Sequence, residues 1–213
     1  MSLIQIQNEI HSVELIIVND GSTEQTLFDE LKNLNSKIIF TPLAYAENRG
    51  KGFALRHGVN KAKAEFIIYT DVDLPYTHES FLKVYSALKN DNADVAIGIR
   101  GEEYYNHLPK TRVRISKILR WFIKKFLRIP TDDTQCGLKG FNQKGKEIFL
   151  QTTINRYLFD LEFIFLAAKN NLNIKTVEVD LRSDVQLSTM SSKILLQEFG
   201  NFLKIFVKSI INK

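Results

Sequence analysis

The stretch Phe66-Ile67-Ile68-Tyr69-Thr70-Asp71-Val72-Asp73-Leu74-Pro75 decides the fold class of this chain. Its apolar first half, rich in isoleucine and aromatic residues, predicts a buried strand. The strand stops at two aspartates separated by one residue, and Pro75 ends regular pairing. If the backbone stays extended there, the carboxylates of Asp71 and Asp73 face the same side. Such a pair fits either a polar strand cap or a site where Mg²⁺ or Mn²⁺ bridges to a substrate diphosphate.

Short apolar segments alternate with helical patterns on both sides of this stretch. Residues with strand character lie at 13–18, 37–40, 66–69 and 93–99. Apolar residues at helical spacing lie between them, within 22–34, 51–64 and 81–88, and a further helical pattern lies at 159–168. Strands alternating with helices of about 10–15 residues predict an α/β fold with a mostly parallel central sheet. No repeat, low-complexity tract or linker interrupts the pattern, so residues 1–213 are predicted to form a single domain.

The composition is that of an ordinary globular protein with a basic surplus. Apolar residues make up 44% and charged residues 25% of the 213 positions. The net charge of +5 favours anionic partners such as nucleotides, phosphates or acidic lipids. Cys136 is the single cysteine, which excludes an internal disulfide and favours a reducing compartment. The sequence has neither a signal-peptide pattern nor an apolar run of about 18 residues, so we expect no membrane-spanning helix.

Four polar residues directly follow predicted strands: Asp20, Asp71, Asp73 and Arg100. Ligands of open α/β sheets bind at the carboxyl ends of the strands, so we expect these groups to share one edge of the sheet. Asp20 lies in the segment Asn19-Asp20-Gly21-Ser22. Its carboxylate can accept hydrogen bonds from a nucleotide base, or it can simply belong to an Asx-turn before a helix.

A second glycine-containing segment, Asn48-Arg49-Gly50-Lys51-Gly52, begins the predicted helix at 51–64. Backbone N–H groups, the helix dipole and the Lys51 ammonium together favour a phosphate group at such a position. The segment is not a Walker A sequence, and a simple glycine-rich turn explains it equally well.

Four motifs occur in a fixed order: Val18-Asn19-Asp20-Gly21-Ser22-Thr23, Asn48-Arg49-Gly50-Lys51-Gly52-Phe53-Ala54, Asp71-Val72-Asp73-Leu74 and Asp133-Thr134-Gln135-Cys136-Gly137-Leu138-Lys139. Together they resemble the inverting family 2 glycosyltransferases with the GT-A fold, in particular the dolichyl-phosphate glucosyl- and mannosyltransferases of the polyprenyl-phosphate branch. The resemblance covers about residues 13–192. It implies a Rossmann-like three-layer sandwich that transfers a hexose from a nucleoside-diphosphate sugar, UDP-glucose or GDP-mannose.

The resemblance also implies roles on the donor side. Asp20 would contact the nucleotide base, and Asp71 would hold the ribose or the metal. Asp73 would ligate the metal that bridges the diphosphate, and Lys51 would assist there. The cofactor would be Mg²⁺ or Mn²⁺, acting as a Lewis acid as the nucleoside diphosphate leaves.

Four residues match the family's positions for an acceptor phosphate: Arg100, Arg112, Ser116 and Arg182. Several converging arginines suit forked, charge-assisted bonds to one phosphate group. A phosphate acceptor needs little help from a general base. The catalytic candidates are Asp73, Asp133 and Arg100. If the acceptor is instead a sugar hydroxyl, a base is required, and Asp133 or Asp160 is the candidate.

The segment 110–128 carries eight lysines and arginines and no acid, together with Trp121, Phe122 and Phe126. Such a helix can dock on an anionic membrane that holds a lipid acceptor, or it can be a solvated charged face. No nucleic-acid-binding motif accompanies the charge, so we expect no nucleic-acid partner. We expect a cytoplasmic protein, peripheral at the membrane. A predicted amphipathic helix within 192–213 can pack on its own core, on a second subunit of a homodimer or on a bilayer.

One feature departs from the family pattern. Members begin with a strand and a loop that cups the nucleotide base, whereas this chain starts about a dozen residues before the strand that carries Asp20. We therefore expect the first strand to be missing, which exposes a sheet edge and removes part of the base pocket. Either the chain is truncated or a partner supplies the strand. The sequence also allows two functions other than transfer to a polyprenyl phosphate. The acceptor can be a sugar hydroxyl in surface or cell-wall polysaccharide synthesis, or the chain can be a non-catalytic nucleotide-binding or membrane-docking module.

Overall fold

The computed structural model of the chain describes residues 6, 9–10, 12–23, 39–101, 127, 129–131, 133–185, 200–202 and 205. Within these ranges lie six strands and four helices. In chain order they are β1 (Glu14–Asp20), β2 (Ile39–Tyr45), α1 (Lys51–Lys61), β3 (Ile67–Tyr69), α2 (His78–Lys89), β4 (Val95–Arg100), β5 (Lys139–Phe141), α3 (Gln143–Leu150), α4 (Phe159–Lys169) and β6 (Ile174–Val179).

The described strands form two sheets, in which parallel pairing prevails. β1 pairs with β2 in parallel over seven residue pairs, and β4 pairs with β6 in parallel over six. β5 lies between β3 and β4 and runs antiparallel to both, over three pairs each. The predicted mostly parallel α/β sheet is confirmed. β5 itself was not predicted, because Lys139-Gly140-Phe141 is short and contains residue types that are depleted in strands.

Helices cover both faces of the larger sheet. The side chains of Val95 and Ile97 in β4 belong to a core cluster that includes residues of α1, α3 and α4. Ala96 belongs to a second cluster on the opposite face, with Val84 and Leu88 of α2. Because successive side chains of a strand point to opposite faces, β4 is buried from both sides. The predicted three-layer sandwich is confirmed.

Element boundaries differ from the sequence patterns at several places. The strand expected at 37–40 runs from Ile39 to Tyr45 and contains Pro42. Among the described strands β2 pairs only with β1, and an outer position of this kind tolerates proline. The helix after Gly50 ends at Lys61 rather than near residue 64. α4 extends over Phe159–Lys169, close to the prediction.

Three predicted helices lie mostly outside the described residues: those at 22–34, 111–127 and 192–211. Leu127 and residues 200–202 and 205 are described there and are helical. Over the described ranges, no helix has both the length and the hydropathy needed to cross a membrane.

Candidate functional site

Asp20, at the end of β1, binds the start of α1. Its carboxylate accepts hydrogen bonds from the backbone N–H groups of Arg49 (2.7 Å) and Gly50 (2.9 Å) and from the Tyr45 hydroxyl (2.8 Å). The Asx-turn expected here is made by Asn19, whose Oδ1 accepts from the Ser22 N–H at 2.7 Å. Asp20 therefore fixes the entry to α1, and its contact with a nucleotide base stays a prediction.

The two glycines at the start of α1 are required by packing. A Cβ atom at Gly50, where φ is 97°, would lie 2.5 Å from the carbonyl oxygen of Asn155. A Cβ atom at Gly52 would lie 2.5 Å from the carbonyl oxygen of Ile154, and the Gly52 N–H already donates to Asn155 at 2.8 Å. Since these N–H groups bind protein atoms, the structure favours the glycine-rich turn over a backbone phosphate cradle.

The Lys51 side chain connects α1 to the Asp-x-Asp segment. Its Nζ lies 2.5 Å from Asp71 Oδ1, and both side chains are partly exposed. Burial lowers the pKa of Lys51, but the carboxylates of Asp160 and Asp71 outweigh burial and leave the pKa above its usual value. On its other side Asp71 abuts Gly137, where an added Cβ would meet Asp71 Oδ2 at 2.4 Å. Asp71 thus lies between the Lys51 ammonium and the Gly137 backbone, where a larger residue would displace its carboxylate.

The backbone turns between the two aspartates, contrary to the extended conformation considered from the sequence. β3 ends at Tyr69, the Leu74 N–H donates to the Asp71 carbonyl at 3.0 Å, and Leu74 has a φ of 46°. Asp71 and Asp73 therefore differ in environment. Asp71 is half-buried against Lys51, whereas Asp73 is exposed.

A buried charge pair lies beneath this turn. Lys139 Nζ is 2.9 Å from Asp160 Oδ1, and the two side chains are 0% and 6% exposed. The Tyr69 hydroxyl donates to the same oxygen at 2.5 Å, and Lys139 also donates to the Cys136 carbonyl. Burial and then the Asp160 charge raise the pKa of Tyr69 well above its usual value. Asp160, one candidate general base, is therefore buried in the core, with its Oδ1 bound by Lys139 and Tyr69.

Arg100, at the end of β4, forms a forked ion pair with Asp133. Its Nη2 and Nε atoms lie 2.6 Å and 3.0 Å from the two carboxylate oxygens, and its backbone N–H donates at 2.9 Å. Burial raises the pKa of Asp133, but the hydrogen bonds and charge of Arg100, together with the charge of Lys139, hold it below its usual value. A general base needs a pKa nearer neutrality, so this geometry disfavours Asp133 as the base.

Arg182 reaches the same region through the chain segment that follows β6. Its N–H donates to the Pro75 carbonyl at 2.9 Å, and a bridge between Tyr76 and Leu181 lies alongside. Its guanidinium binds Asp184 at 2.8 Å and 2.9 Å. The Asp184 hydrogen bond raises the pKa of Arg182, and the Asp73 carboxylate contributes. Arg182 therefore lies in the electrostatic field of the Asp-x-Asp turn.

Arg112 and Ser116, predicted to bind the acceptor phosphate, lie outside the described residues. So do Trp121, Phe122 and Phe126 of the basic segment. The sequence patterns did not reveal the Lys139–Asp160 pair, because its members are 21 positions apart and only the fold brings them together.

The described residues show no cluster of three histidines, cysteines or acids that could hold a metal unaided. Asp71 and Asp73 nevertheless supply hard carboxylate oxygens within one turn, which suit Mg²⁺ or Mn²⁺. Such ions usually bind through one or two carboxylates together with substrate phosphates and water. The donor set therefore fits a metal that arrives with a diphosphate.

Asp20, Lys51 and Asp71 line one cavity of about 750 Å³, together with Arg156 and Tyr157. Acidic groups and a lysine thus lie at the carboxyl ends of the strands, where open α/β sheets bind nucleotides and other ligands. Residues 2–159 match the family described as Glycosyl transferase family 2. The chain belongs to this family of glycosyltransferases.

Named relatives agree with this assignment. The chain is 30% identical over 184 residues to a dolichyl-phosphate beta-glucosyltransferase of Dictyostelium discoideum, covering 79% of this chain and 55% of that one. It is 31% identical over 183 residues to a dolichyl-phosphate beta-glucosyltransferase of Drosophila melanogaster, with the same two coverages. The chain thus spans about half the length of these curated relatives.

Among solved structures, glucosyl-3-phosphoglycerate synthase of Mycobacterium tuberculosis, in complex with Mn²⁺, UDP and glucosyl-3-phosphoglycerate, has the same fold. The TM-score is 0.57 at 13% identity, covering 98% of this chain and 75% of that one. The predicted GT-A fold and family 2 membership are therefore confirmed.

Proposed function

We propose that this protein is a metal-dependent inverting glycosyltransferase that moves a hexose from a nucleoside-diphosphate sugar to a polyprenyl phosphate. The observation that carries the proposal is the placement of acidic and basic groups after strands of one sheet. Asp71 and the exposed Asp73 follow β3, Arg100 ends β4, and Arg182 follows β6.

On the donor side, Asp73 would hold Mg²⁺ or Mn²⁺, with Asp71 as a second ligand or a ribose contact. The metal would supply Lewis-acid stabilisation of the departing diphosphate. Lys51 would contribute a second positive charge there, since its pKa is raised and it keeps its proton at neutral pH. The relatives' names favour glucose over mannose, and UDP is the nucleotide named for the solved structure.

On the acceptor side, Arg100 and Arg182 would bind the phosphate together with Arg112 and Ser116. Each described arginine already holds a carboxylate through its guanidinium, Asp133 for Arg100 and Asp184 for Arg182. A phosphate oxygen presents similar geometry to the same donors. An ionised phosphate attacks without a general base, which agrees with the lowered pKa of Asp133. A sugar-hydroxyl acceptor is less well supported, because both candidate bases are held in ion pairs.

A polyprenyl phosphate resides in a membrane, so the protein must work at a bilayer surface. The basic segment 110–128 would attract anionic lipid headgroups and bring the site to the acceptor. We therefore propose a peripheral location at the cytoplasmic face of a membrane.

The test is transfer of radiolabelled hexose from UDP-glucose or GDP-mannose to dolichyl or undecaprenyl phosphate in anionic vesicles, with Mg²⁺ or Mn²⁺. We expect a labelled product that is extracted into organic solvent and that does not form when EDTA is present. Label transferred to a saccharide acceptor but not to lipid would support the polysaccharide alternative. No transfer from either donor to any acceptor, despite metal-dependent nucleotide binding, would contradict the proposed reaction.

A further inference from the structure

The loop 151–158 joins α3 to α4 and contributes two side chains to the site cavity. Arg156 and Tyr157 line this cavity together with Lys51 and Asp71. Neither Arg156 nor Tyr157 matched a sequence motif, and neither has a role in the reaction proposed for this protein. Arg156 brings a permanent positive charge to a cavity that would hold a nucleotide, so its position needs a physical explanation.

The first half of the loop is fixed by a buried carboxylate of α4. Glu162 is 1% exposed. Its Oε2 accepts hydrogen bonds from the N–H groups of Thr153 at 2.7 Å and Ile154 at 2.8 Å, and its Oε1 accepts from the Thr153 hydroxyl at 2.8 Å. A carboxylate is tolerated in a core when hydrogen bonds satisfy its oxygens. Glu162 thus anchors the loop to α4.

α1 holds the same part of the loop through Arg56. Nη1 of Arg56 donates to the Thr152 hydroxyl at 3.1 Å and to the Ile154 carbonyl at 2.9 Å. Its Nη2 donates to the side-chain carbonyl of Asn155. The backbone is therefore fixed by two helices directly before Arg156. A binding residue on a fixed backbone loses less conformational entropy when its ligand arrives.

The stem of Arg156 lies against the first residues of α1. An added Cβ at Gly50 would lie 3.3 Å from Arg156 Cγ. The N–H group of Gly50 holds the Asp20 carboxylate at 2.9 Å, and Lys51 is the next residue in the chain. Arg156 therefore lies beside the groups that are assigned to the nucleotide-sugar donor.

The other charged groups at this end of the cavity already have partners within the protein. Asp71 pairs with Lys51 at 2.5 Å, and Asp20 accepts from backbone N–H groups and from the Tyr45 hydroxyl. In the part of the chain that the structure describes, no hydrogen bond or ion pair engages the Arg156 guanidinium. A guanidinium presents a planar fork of donors that matches phosphate oxygens. Arg156 can therefore give this fork to an anion in the cavity.

The position of the cavity distinguishes the donor diphosphate from the acceptor phosphate. The described residues that line it include Asp20 and Asp71 but neither Arg100 nor Arg182, the two arginines proposed for the acceptor. An anion that reaches Arg156 through this cavity therefore belongs to the donor.

We propose that Arg156 binds the diphosphate of the donor as a further cation beside Lys51, and that Arg56 and Glu162 are positioning residues that hold its loop. The inference rests on the proposed function, because it takes a nucleoside-diphosphate sugar as the donor. When the bond between the hexose and the diphosphate breaks, its electron pair stays on the diphosphate oxygen. The Arg156 guanidinium stabilises the charge that develops there.

The experiment compares ligands that differ only in their phosphates. Uridine, UMP and UDP compete with radiolabelled UDP for the full chain in equilibrium dialysis with Mg²⁺, and the guanosine series is measured in parallel. Arg156→Ala should weaken UDP binding at least tenfold and uridine binding less than twofold, because the nucleoside carries no phosphate. Arg156→Lys keeps the charge but loses the fork, so its affinity for UDP should lie between those of Arg156→Ala and the original chain.

Two further variants serve as controls. Lys169→Ala removes one positive charge at the other end of α4, outside the described lining of the cavity, and should leave all affinities unchanged. Arg56→Met should weaken UDP binding about threefold in the original chain and should have no further effect in Arg156→Ala. Such a double-mutant cycle separates positioning of Arg156 from a general loss of stability.

The outcomes separate this inference from the proposed function. If the original chain binds UDP and Arg156→Ala binds it equally well, the inference is wrong and the proposed function is unaffected. Equal weakening of uridine and UDP would also overturn it, because Arg156 would then act on the nucleoside or on the shape of the cavity. Equal weakening by Arg56→Met in both backgrounds would contradict the positioning role. An original chain that binds no nucleotide of either series would contradict the proposed function itself.

Discussion

The protein contains buried and exposed charge pairs within a short distance of each other. Lys139–Asp160 and Arg100–Asp133 have side chains that are at most 16% exposed. Lys83–Asp180 and Arg182–Asp184 have side chains between 27% and 67% exposed. The chemistry of the groups is the same, but solvent screens only the second set. The buried pairs are therefore fixed by the fold, whereas solvent competes for the exposed groups.

Lys51–Asp71 lies between these extremes, with side chains 31% and 41% exposed. Asp71 belongs to the same turn as the exposed Asp73, and the charge of the buried Asp160 raises the pKa of Lys51. The two aspartates of the motif therefore differ in environment. Asp71 is held by the protein, and Asp73 faces the solvent.

The largest effect is expected from breaking the buried pair. Lys139→Met should lower the free energy of unfolding by about 3–5 kcal/mol, because the Asp160 carboxylate stays buried without its cation. Urea denaturation followed by circular dichroism measures this. The matched change at an exposed pair, Lys83→Met, should cost about 1 kcal/mol or less. Equal losses in the two variants would show that burial does not distinguish the pairs.

The next effect concerns activity rather than stability. Asp73→Ala should reduce transfer at least 100-fold, equivalent to about 2.7 kcal/mol, because the metal loses its exposed ligand. The melting temperature should stay within about 2 °C of the original, since the side chain is exposed. Asp91→Ala, at the exposed pair with Lys175, is the control and should retain full activity. Turnover that survives in Asp73→Ala would remove this residue from the mechanism.

A smaller effect is expected on the acceptor side. Arg182→Lys keeps the charge but loses the planar fork, so the KM for the lipid phosphate should rise about tenfold. The KM for the nucleotide sugar should not change. Steady-state kinetics with each substrate varied in turn separates the two constants. A change in the KM for the nucleotide sugar alone would show that Arg182 acts on the donor and not on the acceptor.

The smallest expected effect is on the pH dependence of the free energy of unfolding, and it is seen only at acidic pH. The pKa of Asp133 is lower in the folded chain than in the unfolded one, so the unfolded state binds the additional proton. The pair with Arg100 therefore stabilises the fold above about pH 4 and loses this contribution as the pH falls. Urea denaturation between pH 6 and 3 should show a shallower slope in Asp133→Asn. Asp184→Asn should change the slope less, because that carboxylate is exposed. A steeper or unchanged slope in Asp133→Asn contradicts the assignment.

Local patterns predicted the elements whose apolar residues are regular. The α/β alternation, β4 and α4 follow from periodicity, and the edge position of Asp20, Asp71 and Arg100 follows from where the strands end. These features depend on neighbouring residues, which is why the sequence alone sufficed for them.

Contacts between distant residues were not predictable in the same way. The conformation at Gly50 and Gly52 is set by residues 154–155, about one hundred positions away, so the segment resembled a phosphate loop. The turn after Asp71 requires a positive φ at Leu74, a residue type that rarely adopts it. The Lys139–Asp160 pair joins a short strand to a helix start and has no periodic signal.

The central claim is that Asp73, the exposed aspartate, binds the metal that brings the nucleotide into the site. Calorimetric titration of UDP in the presence and absence of Mn²⁺, with the original chain and with Asp73→Asn, tests this most directly. We predict that Mn²⁺ tightens UDP binding at least tenfold in the original chain and has no effect on binding by Asp73→Asn. Equal tightening by Mn²⁺ in both proteins would contradict the claim.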